Sequence, residues 1–168
     1  MENFTVYNPA KLYFGRNSLD HLAGIAGKSG KNCLLVYGKG SIKNNGIYHQ
    51  VINRLSNVML IEYSGIKANP VIEDVENISA LIRQNNIDFI VAVGGGSVID
   101  SAKIASVCGP SDIYAWDFVK SNVKPKRNIP LVCVLTLAAT GTEMNPFAVV
   151  QNNETREKTG FGNPMMYP

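Results

Sequence analysis

The sequence predicts an α/β fold in which a mainly parallel sheet is flanked by helices. Short, continuous apolar runs bounded by turn residues are typical of strands that are buried on both faces. Segments with helical apolar spacing lie between these runs, and strands that alternate with helices form βαβ units. The chain has 168 residues, of which 45% are apolar and 17% are charged, which is enough for one domain with its own core.

The first thirty residues are predicted to form a strand pair at the edge of the sheet, followed by a helix. The two strands are predicted at residues 4–7 and 11–14, separated by Asn8 and Pro9. The helix is predicted from Ser18 to Ala26. If the protein forms a homodimer, we expect these edge strands to form the interface.

The remaining elements are predicted from apolar patterning. Core strands are predicted at four apolar runs, residues 33–37, 58–61, 89–93 and 131–135. One helix is predicted from Asn45 to Leu55. A second is predicted over residues 71–82, where apolar residues recur on one helical face, with Asn69 as its cap and Pro70 at its first position.

Composition excludes several classes of protein. No window has the roughly 18 consecutive apolar residues of a membrane span, and residues 1–9 lack the features of a secretory signal. The net charge of +3 is too small to indicate nucleic-acid binding. We therefore expect a cytoplasmic protein with no membrane or nucleic-acid partner.

The cysteines and histidines predict neither a disulfide framework nor a metal site. The three cysteines are far apart in the sequence, without Cys-x-x-Cys spacing, and two of them lie inside apolar runs, which favours buried thiols. The only histidines are His21 and His49, and neither has a carboxylate or cysteine at metal-ligand spacing.

The run Gly94-Gly95-Gly96-Ser97 follows a buried strand and opens a helix. Three glycines let the backbone turn tightly and approach a ligand, and free amides at a helix N-terminus favour phosphate. An alternative is that Ser97 and Asp100 only form a capping box. The two interpretations are compatible, and the glycines exceed what a cap needs.

Two further loops follow predicted strands. In the first, Gly38, Lys39, Ser41 and Lys43 have no carboxylate nearby, which favours a phosphorylated ribose, and so NADP over NAD. A glycine turn with solvated lysines is the alternative. The second, residues 136–146, carries hydroxyls that can hydrogen-bond a base or a ribose, or is a plain Ser/Thr-rich turn.

These three loops, in this order, resemble the iron-containing (group III) alcohol dehydrogenases, particularly their butanol-dehydrogenase-like branch. Residues 94–103 and 136–145 carry the resemblance, supported by residues 37–43 and by Tyr7-Asn8-Pro9. It implies a Rossmann-like, N-terminal dinucleotide-binding half spanning residues 1–168, with NADP or NAD as cofactor. It also implies oxidation of alcohols or reduction of aldehydes, assisted by a divalent metal, usually iron.

The resemblance also implies the residues of the cofactor site. Its pyrophosphate would lie on Gly95, Gly96 and Ser97, with Gly94 and Asp100 beside them. The remaining residues matched to the cofactor are Gly38, Ser41, Asn69, Thr136, Thr140, Asn145 and Lys158.

No metal ligand and no catalytic residue can be assigned, because the family places its aspartate and three histidines in a helical C-terminal half. We expect that half to be absent and this chain alone to be inactive. Two alternatives stay open: a fragment of a dehydroquinate-synthase-like lyase that uses NAD, and a non-catalytic nucleotide-binding module.

Overall fold

The core of the protein is a four-stranded parallel sheet with the order β2-β1-β3-β4. The computed structural model describes residues 3–121 and 123–168. The strands are β1 (Asn32–Gly38), β2 (Met59–Ile66), β3 (Phe89–Gly94) and β4 (Leu131–Leu135). This confirms the predicted sheet, although β2 extends five residues beyond its predicted end at Ile61.

Helices cover both faces of this sheet. On one face lie α1 (His21–Ser29), α2 (Ser41–Asn44) and α3 (Ile47–Arg54), and on the other α4 (Ile72–Gln84), α5 (Gly96–Ser111) and α6 (Ala115–Val119). Along β1, Leu34 and Val36 pack against the α4–α5 side, and Leu35 and Tyr37 pack against the α1–α3 side. Burial on both faces explains why the strand sequences are apolar without alternation.

Two predicted helix starts are wrong. The helix predicted from Asn45 begins at Ile47, because Gly46 has a φ of 80° and separates helix α2 from helix α3. Asn69 does not cap α4, since its own φ is 64° and Val71 takes the N-cap position. The reason is a competing interaction: Pro70 O accepts a hydrogen bond from Gln151 N at 2.9 Å, and Val71 forms a β-bridge with Gln151.

Gln151 belongs to an antiparallel hairpin that the sequence patterning did not reveal. Its strands are β5 (Phe147–Asn152) and β6 (Glu157–Gly162). Ala148 and Val150 of β5 are buried in the same apolar cluster as α4 and α5. The hairpin therefore packs on the helices that flank the sheet.

The predicted N-terminal strand pair is not formed within the described residues. Residues 4–7 and 11–14 have no strand pairing, and Phe4 and Phe14 are 80% and 95% exposed. The turn between them is held elsewhere, because Asn8 Nδ2 donates to Met144 O at 2.8 Å and Asn8 Oδ1 accepts from Ala10 N at 2.9 Å. Because Asn8 bonds to Met144, residues 4–14 lie at the loop that contains Met144 and not along an edge of the sheet.

Across residues 3–121 and 123–168, no helix is both long enough and apolar enough to traverse a bilayer.

Candidate functional site

The strand order reverses between β1 and β3, and this places a crevice at the carboxyl edge of the sheet. In open parallel sheets, ligands bind at this point. The turns after β1 and β3 meet there, since a Cβ on Gly38 would lie 3.9 Å from Val98 Cγ2. The end of β4 joins them through Thr136 N, which donates to Gly94 O at 3.0 Å. All three loops that the sequence singled out are therefore neighbours.

The three consecutive glycines have different surroundings. A Cβ on Gly94 would lie 2.6 Å from Val98 Cγ2, so Gly94 allows α5 to pack against the end of β3. A Cβ on Gly96 would lie 3.1 Å from Thr140 Oγ1, whereas at Gly95 the nearest atom would be Leu137 Cβ at 3.7 Å. Gly95 is thus the most open of the three.

The first turn of α5 presents backbone amides to the crevice. Gly95 is the N-cap, and the first hydrogen bonds of the helix run from Val98 N and Ile99 N to Gly95 O. The amides of Gly96 and Ser97 precede these bonded turns and can face an anion. The capping-box alternative is wrong, because Ser97 lies inside the helix and no side chain caps it.

Three predicted site residues form a chain across the crevice. Lys158 Nζ donates to Asn69 Oδ1 at 3.1 Å, and Asn69 N donates to Ser97 Oγ at 3.2 Å. Asn69 adopts a left-handed conformation, which asparagine tolerates better than most residues. The sequence assigned these residues to one site, and the structure brings them together.

Asp100 and Asn145 use their side chains to hold the loop of residues 136–146, called here the threonine-rich loop. Asp100 Oδ1 accepts from Thr142 Oγ1 at 2.6 Å, and Oδ2 accepts from Val149 N at 3.0 Å. Burial raises the pKa of Asp100, and these two donors oppose the shift. Asn145 Nδ2 donates to Gly141 O at 2.9 Å, and its Oδ1 accepts from Phe147 N at 2.9 Å.

Lys103 is the residue that the sequence prediction missed. It is fully buried, and its Nζ donates to the carbonyl oxygens of Thr142, Asn145 and Phe147 and to Thr142 Oγ1. Nζ lies 2.8 Å from Thr142 Oγ1, 2.7 Å from Asn145 O and 2.9 Å from Phe147 O. A lysine surrounded by Ala102, Ile104 and Ala105 in a helix was the available signal.

This burial predicts a specific dependence of stability on pH. Desolvation lowers the pKa of Lys103 to about 8, against 10.5 for an ordinary lysine. Between these values the unfolded chain holds more protons than the folded one, so the Lys103 contribution to stability increases as pH rises. Urea unfolding of the wild-type chain and the Lys103→Met variant across this range should show it, as a steeper upward slope for the wild type. Equal slopes would contradict the lowered pKa.

The loop after β1 directs its lysines differently. Lys43 Nζ lies 4.8 Å from the ring centre of Tyr48 and 5.3 Å from that of Tyr37. Both tyrosine hydroxyls donate to Glu62, at 2.7 and 2.8 Å. Contact with Tyr37 raises the pKa of Lys43. Lys39, Ser41 and Lys43 are all exposed, but Lys43 would have to leave the two rings to meet a ribose phosphate.

The described residues do not fit a metal ion. Within residues 3–121 and 123–168, no three His, Cys, Asp or Glu side chains cluster as ligands. His21 stacks on Tyr13, with ring centroids 4.2 Å apart, and His49 packs edge-on against Tyr48. Cys33 and Cys108 are buried thiols as predicted, and Cys133 is partly buried. Burial raises the pKa of Cys33 and of Cys133 to about 12.

Comparison with known proteins identifies the family. The sequence model of the iron-containing alcohol dehydrogenases matches residues 9–168. The chain belongs to the iron-containing alcohol dehydrogenase family. Its relatives within that family include the probable NADH-dependent butanol dehydrogenase 1 of Bacillus subtilis, at 46% identity, and the NADPH-dependent aldehyde reductase of Escherichia coli, at 35%. Both alignments cover all of this chain and 44% of the relative.

Solved structures of this family have the same fold. The NADH-dependent butanol dehydrogenase A of Thermotoga maritima superposes with a TM-score of 0.94 at 37% identity. The match covers 100% of this chain and 43% of that one. The chain therefore spans less than half the length of the relatives it matches.

Proposed function

We propose that residues 1–168 form a dinucleotide-binding domain, the cofactor-binding portion of an NAD(P)-dependent alcohol dehydrogenase or aldehyde reductase. One observation carries this proposal: the glycine turn after β3 opens into the N-terminus of α5 where the strand order reverses. That arrangement suits the pyrophosphate of a dinucleotide. The names of the relatives, which include butanol dehydrogenases and an aldehyde reductase, supply the reaction class.

Different residues of the crevice would hold different parts of the cofactor. The amides of Gly96 and Ser97 would bind the pyrophosphate, and the open side of Gly95 would let it approach the backbone. The Thr140 hydroxyl lies beside Gly96, and Lys158 is linked to Ser97 through Asn69. The bound nicotinamide would exchange a hydride with the substrate carbon, and the task of the protein is to orient it.

Titration with NADH tests this proposal directly. Saturable enhancement or quenching of NADH fluorescence by the chain, reversed by ADP, is the expected result. Failure of NADH, NADPH and ADP to bind would reject the proposed cofactor site.

The preference between NADH and NADPH depends on the loop after β1. The lysine-rich sequence favours NADPH, but Lys43 is committed to Tyr37 and Tyr48, which leaves Lys39 and Ser41 for a 2′-phosphate. We therefore expect NADH to bind at least as tightly as NADPH, as the names of the Bacillus subtilis relatives suggest. Parallel fluorescence titrations measure both dissociation constants. Clearly tighter NADPH binding would contradict this expectation, and its loss in a Lys39→Ala variant would show that NADP selection requires Lys39.

The intact enzyme would act on a primary alcohol or aldehyde whose oxygen is polarised by a divalent metal. The described residues hold no cluster of three ligating side chains for that metal. We propose that the 168-residue chain alone turns over no aldehyde. An assay with butanal, NADH and added Fe²⁺ should give no metal-dependent oxidation of NADH above the rate without protein, and such turnover would refute this part of the proposal.

Two further parts of the proposal concern assembly and location. A homodimer through residues 4–14 is supported by the exposed apolar side chains of this segment, which include Phe4, Val6, Tyr7 and Phe14. Sedimentation should show a dimer that dissociates when Phe4 and Tyr7 are changed to serine, and an unchanged dimer would place the interface elsewhere.

A cytoplasmic location is supported by the three free cysteines, which suit a reducing compartment.

A further inference from the structure

The ammonium group of Lys103 lies where α5, the threonine-rich loop and β5 meet. We propose that Lys103 is a positioning residue: it anchors the threonine-rich loop to α5 and so holds Thr140 and Leu137 against the glycine turn that receives the cofactor. Its effect on cofactor binding rests on the function proposed above, whereas its effect on the loop does not.

The partners of Lys103 indicate a role in shaping the backbone. Three of them are main-chain carbonyl oxygens, from Thr142, Asn145 and Phe147, and the other two are the Thr142 hydroxyl and the side-chain oxygen of Asn145, at 3.3 Å. The salt bridges among the described residues do not include Lys103. The cation is thus satisfied almost entirely by the loop and the first residue of β5.

Burial makes these contacts obligatory. A buried ammonium group without acceptors is strongly disfavoured, so the folded chain has to bring the oxygens to Nζ. Without the cation, three carbonyl oxygens would converge with no donor between them. The bend of the loop from Thr142 to Phe147 therefore depends on Lys103.

The threonine-rich loop lies against the glycine turn. At its start, Thr136 N is bonded to Gly94 O at 3.0 Å. In its middle, Leu137 and Thr140 lie against Gly95 and Gly96. Leu137 Cβ would be 3.7 Å from a Cβ added to Gly95, and Thr140 Oγ1 would be 3.1 Å from a Cβ added to Gly96. Lys103 anchors the other end, so both ends of the segment above the turn are fixed. Loosening this end would move the side chains that border the phosphate-binding amides.

The test uses two pairs of variants in the 168-residue chain. Lys103→Met removes the cation and keeps the length of the side chain, and Lys28→Met makes the same change at an exposed site on α1. Thr142→Val removes the hydroxyl that accepts from Lys103 and donates to Asp100, and Thr142→Ser retains it. Amide hydrogen exchange without cofactor reports on the loop, and NADH and ADP titrations report on the site.

We expect Lys103→Met and Thr142→Val to accelerate exchange of loop amides about tenfold or more, and to weaken NADH and ADP binding by about the same factor. The exchange effect should be confined to residues 136–147. Lys28→Met should match the wild type, and Thr142→Ser should restore both readouts. If Lys103→Met does not fold, the Thr142 pair tests the anchor at the hydroxyl that joins the loop to Lys103 and Asp100.

Four outcomes would overturn the inference or separate it from the proposed function. Wild-type exchange in the loop of a folded Lys103→Met variant would overturn it. Faster exchange spread evenly over the chain, or no recovery in Thr142→Ser, would show a general structural role and overturn it as well. Selective loosening of the loop in a chain that binds neither NADH nor ADP would support the anchor and reject the cofactor site.

Discussion

Replacing Gly95 with alanine should weaken NADH and NADPH binding by about tenfold or more, because the new Cβ occupies space through which the pyrophosphate approaches the backbone. The fold should tolerate the change. Gly95 has a φ of −91°, which alanine adopts, and its Cβ would meet only Leu137 Cβ, at an ordinary contact distance of 3.7 Å. The free energy of unfolding should therefore change by less than about 1 kcal/mol.

Fluorescence titration and urea unfolding of the same preparation measure the two effects. The matched control is Gly24→Ala in α1, where an added Cβ meets no atom within 4 Å. Gly24→Ala should bind NADH as the wild type does and should be slightly more stable, since alanine favours a helix over glycine by about 0.5–1 kcal/mol. Wild-type affinity in Gly95→Ala would mean that the phosphate site lies elsewhere.

Replacing Gly109 with valine should destabilise the protein by about 3 kcal/mol. Gly109 allows α4 and α5 to pack closely, because a Cβ there would lie 2.7 Å from Ile82 Cδ1 and 2.9 Å from Ile82 Cβ. The contact with Ile82 Cβ cannot be relieved by rotating the Ile82 side chain, so the helices have to separate. For a chain of this length the loss corresponds to a fall in Tm of roughly 6–12 °C.

Thermal and urea unfolding test this prediction against Gly27→Val, which introduces the same side chain on α1 in open space. Gly27→Val should change stability by less than about 1 kcal/mol. A double-mutant cycle adds a second criterion: Ile82→Ala should cost less stability in the Gly109→Val background than in the wild type. Additive effects would show that the Cδ1 and Cγ2 atoms, which Ile82→Ala removes, do not contribute to the loss.

The predicted sheet is correct because its evidence is local. Residues 33–37 and 89–93 are apolar at every position, a pattern produced by burial on both faces, and the turn residues that bound them mark the strand ends. Once the strands are parallel, the loops after β1 and β3 share one edge. The approximate position of a ligand site therefore follows from sequence.

Two of the failed predictions depend on partners distant in sequence. Asn69 and Pro70 have the composition of a helix start, but Gln151, more than 80 residues later, bonds to Pro70 O and moves the start of α4 to Ile72. The segment of residues 4–14 has the composition of a strand pair, but Asn8 anchors its turn to Met144. Neither competing hydrogen bond has a signature in the local sequence.

By itself the sequence determined the four strands of the parallel sheet, the glycine turn opening α5 and the resemblance to iron-containing alcohol dehydrogenases. These properties follow from local patterning and short motifs. Tertiary structure decided which glycine packs and which stays open, and it brought the side chains of Asp100 and Lys103 into hydrogen bonds with the threonine-rich loop. The physical reason is that burial and hydrogen-bond satisfaction depend on what surrounds a group, and at Gly94, Asp100 and Lys103 those neighbours lie in other segments of the chain.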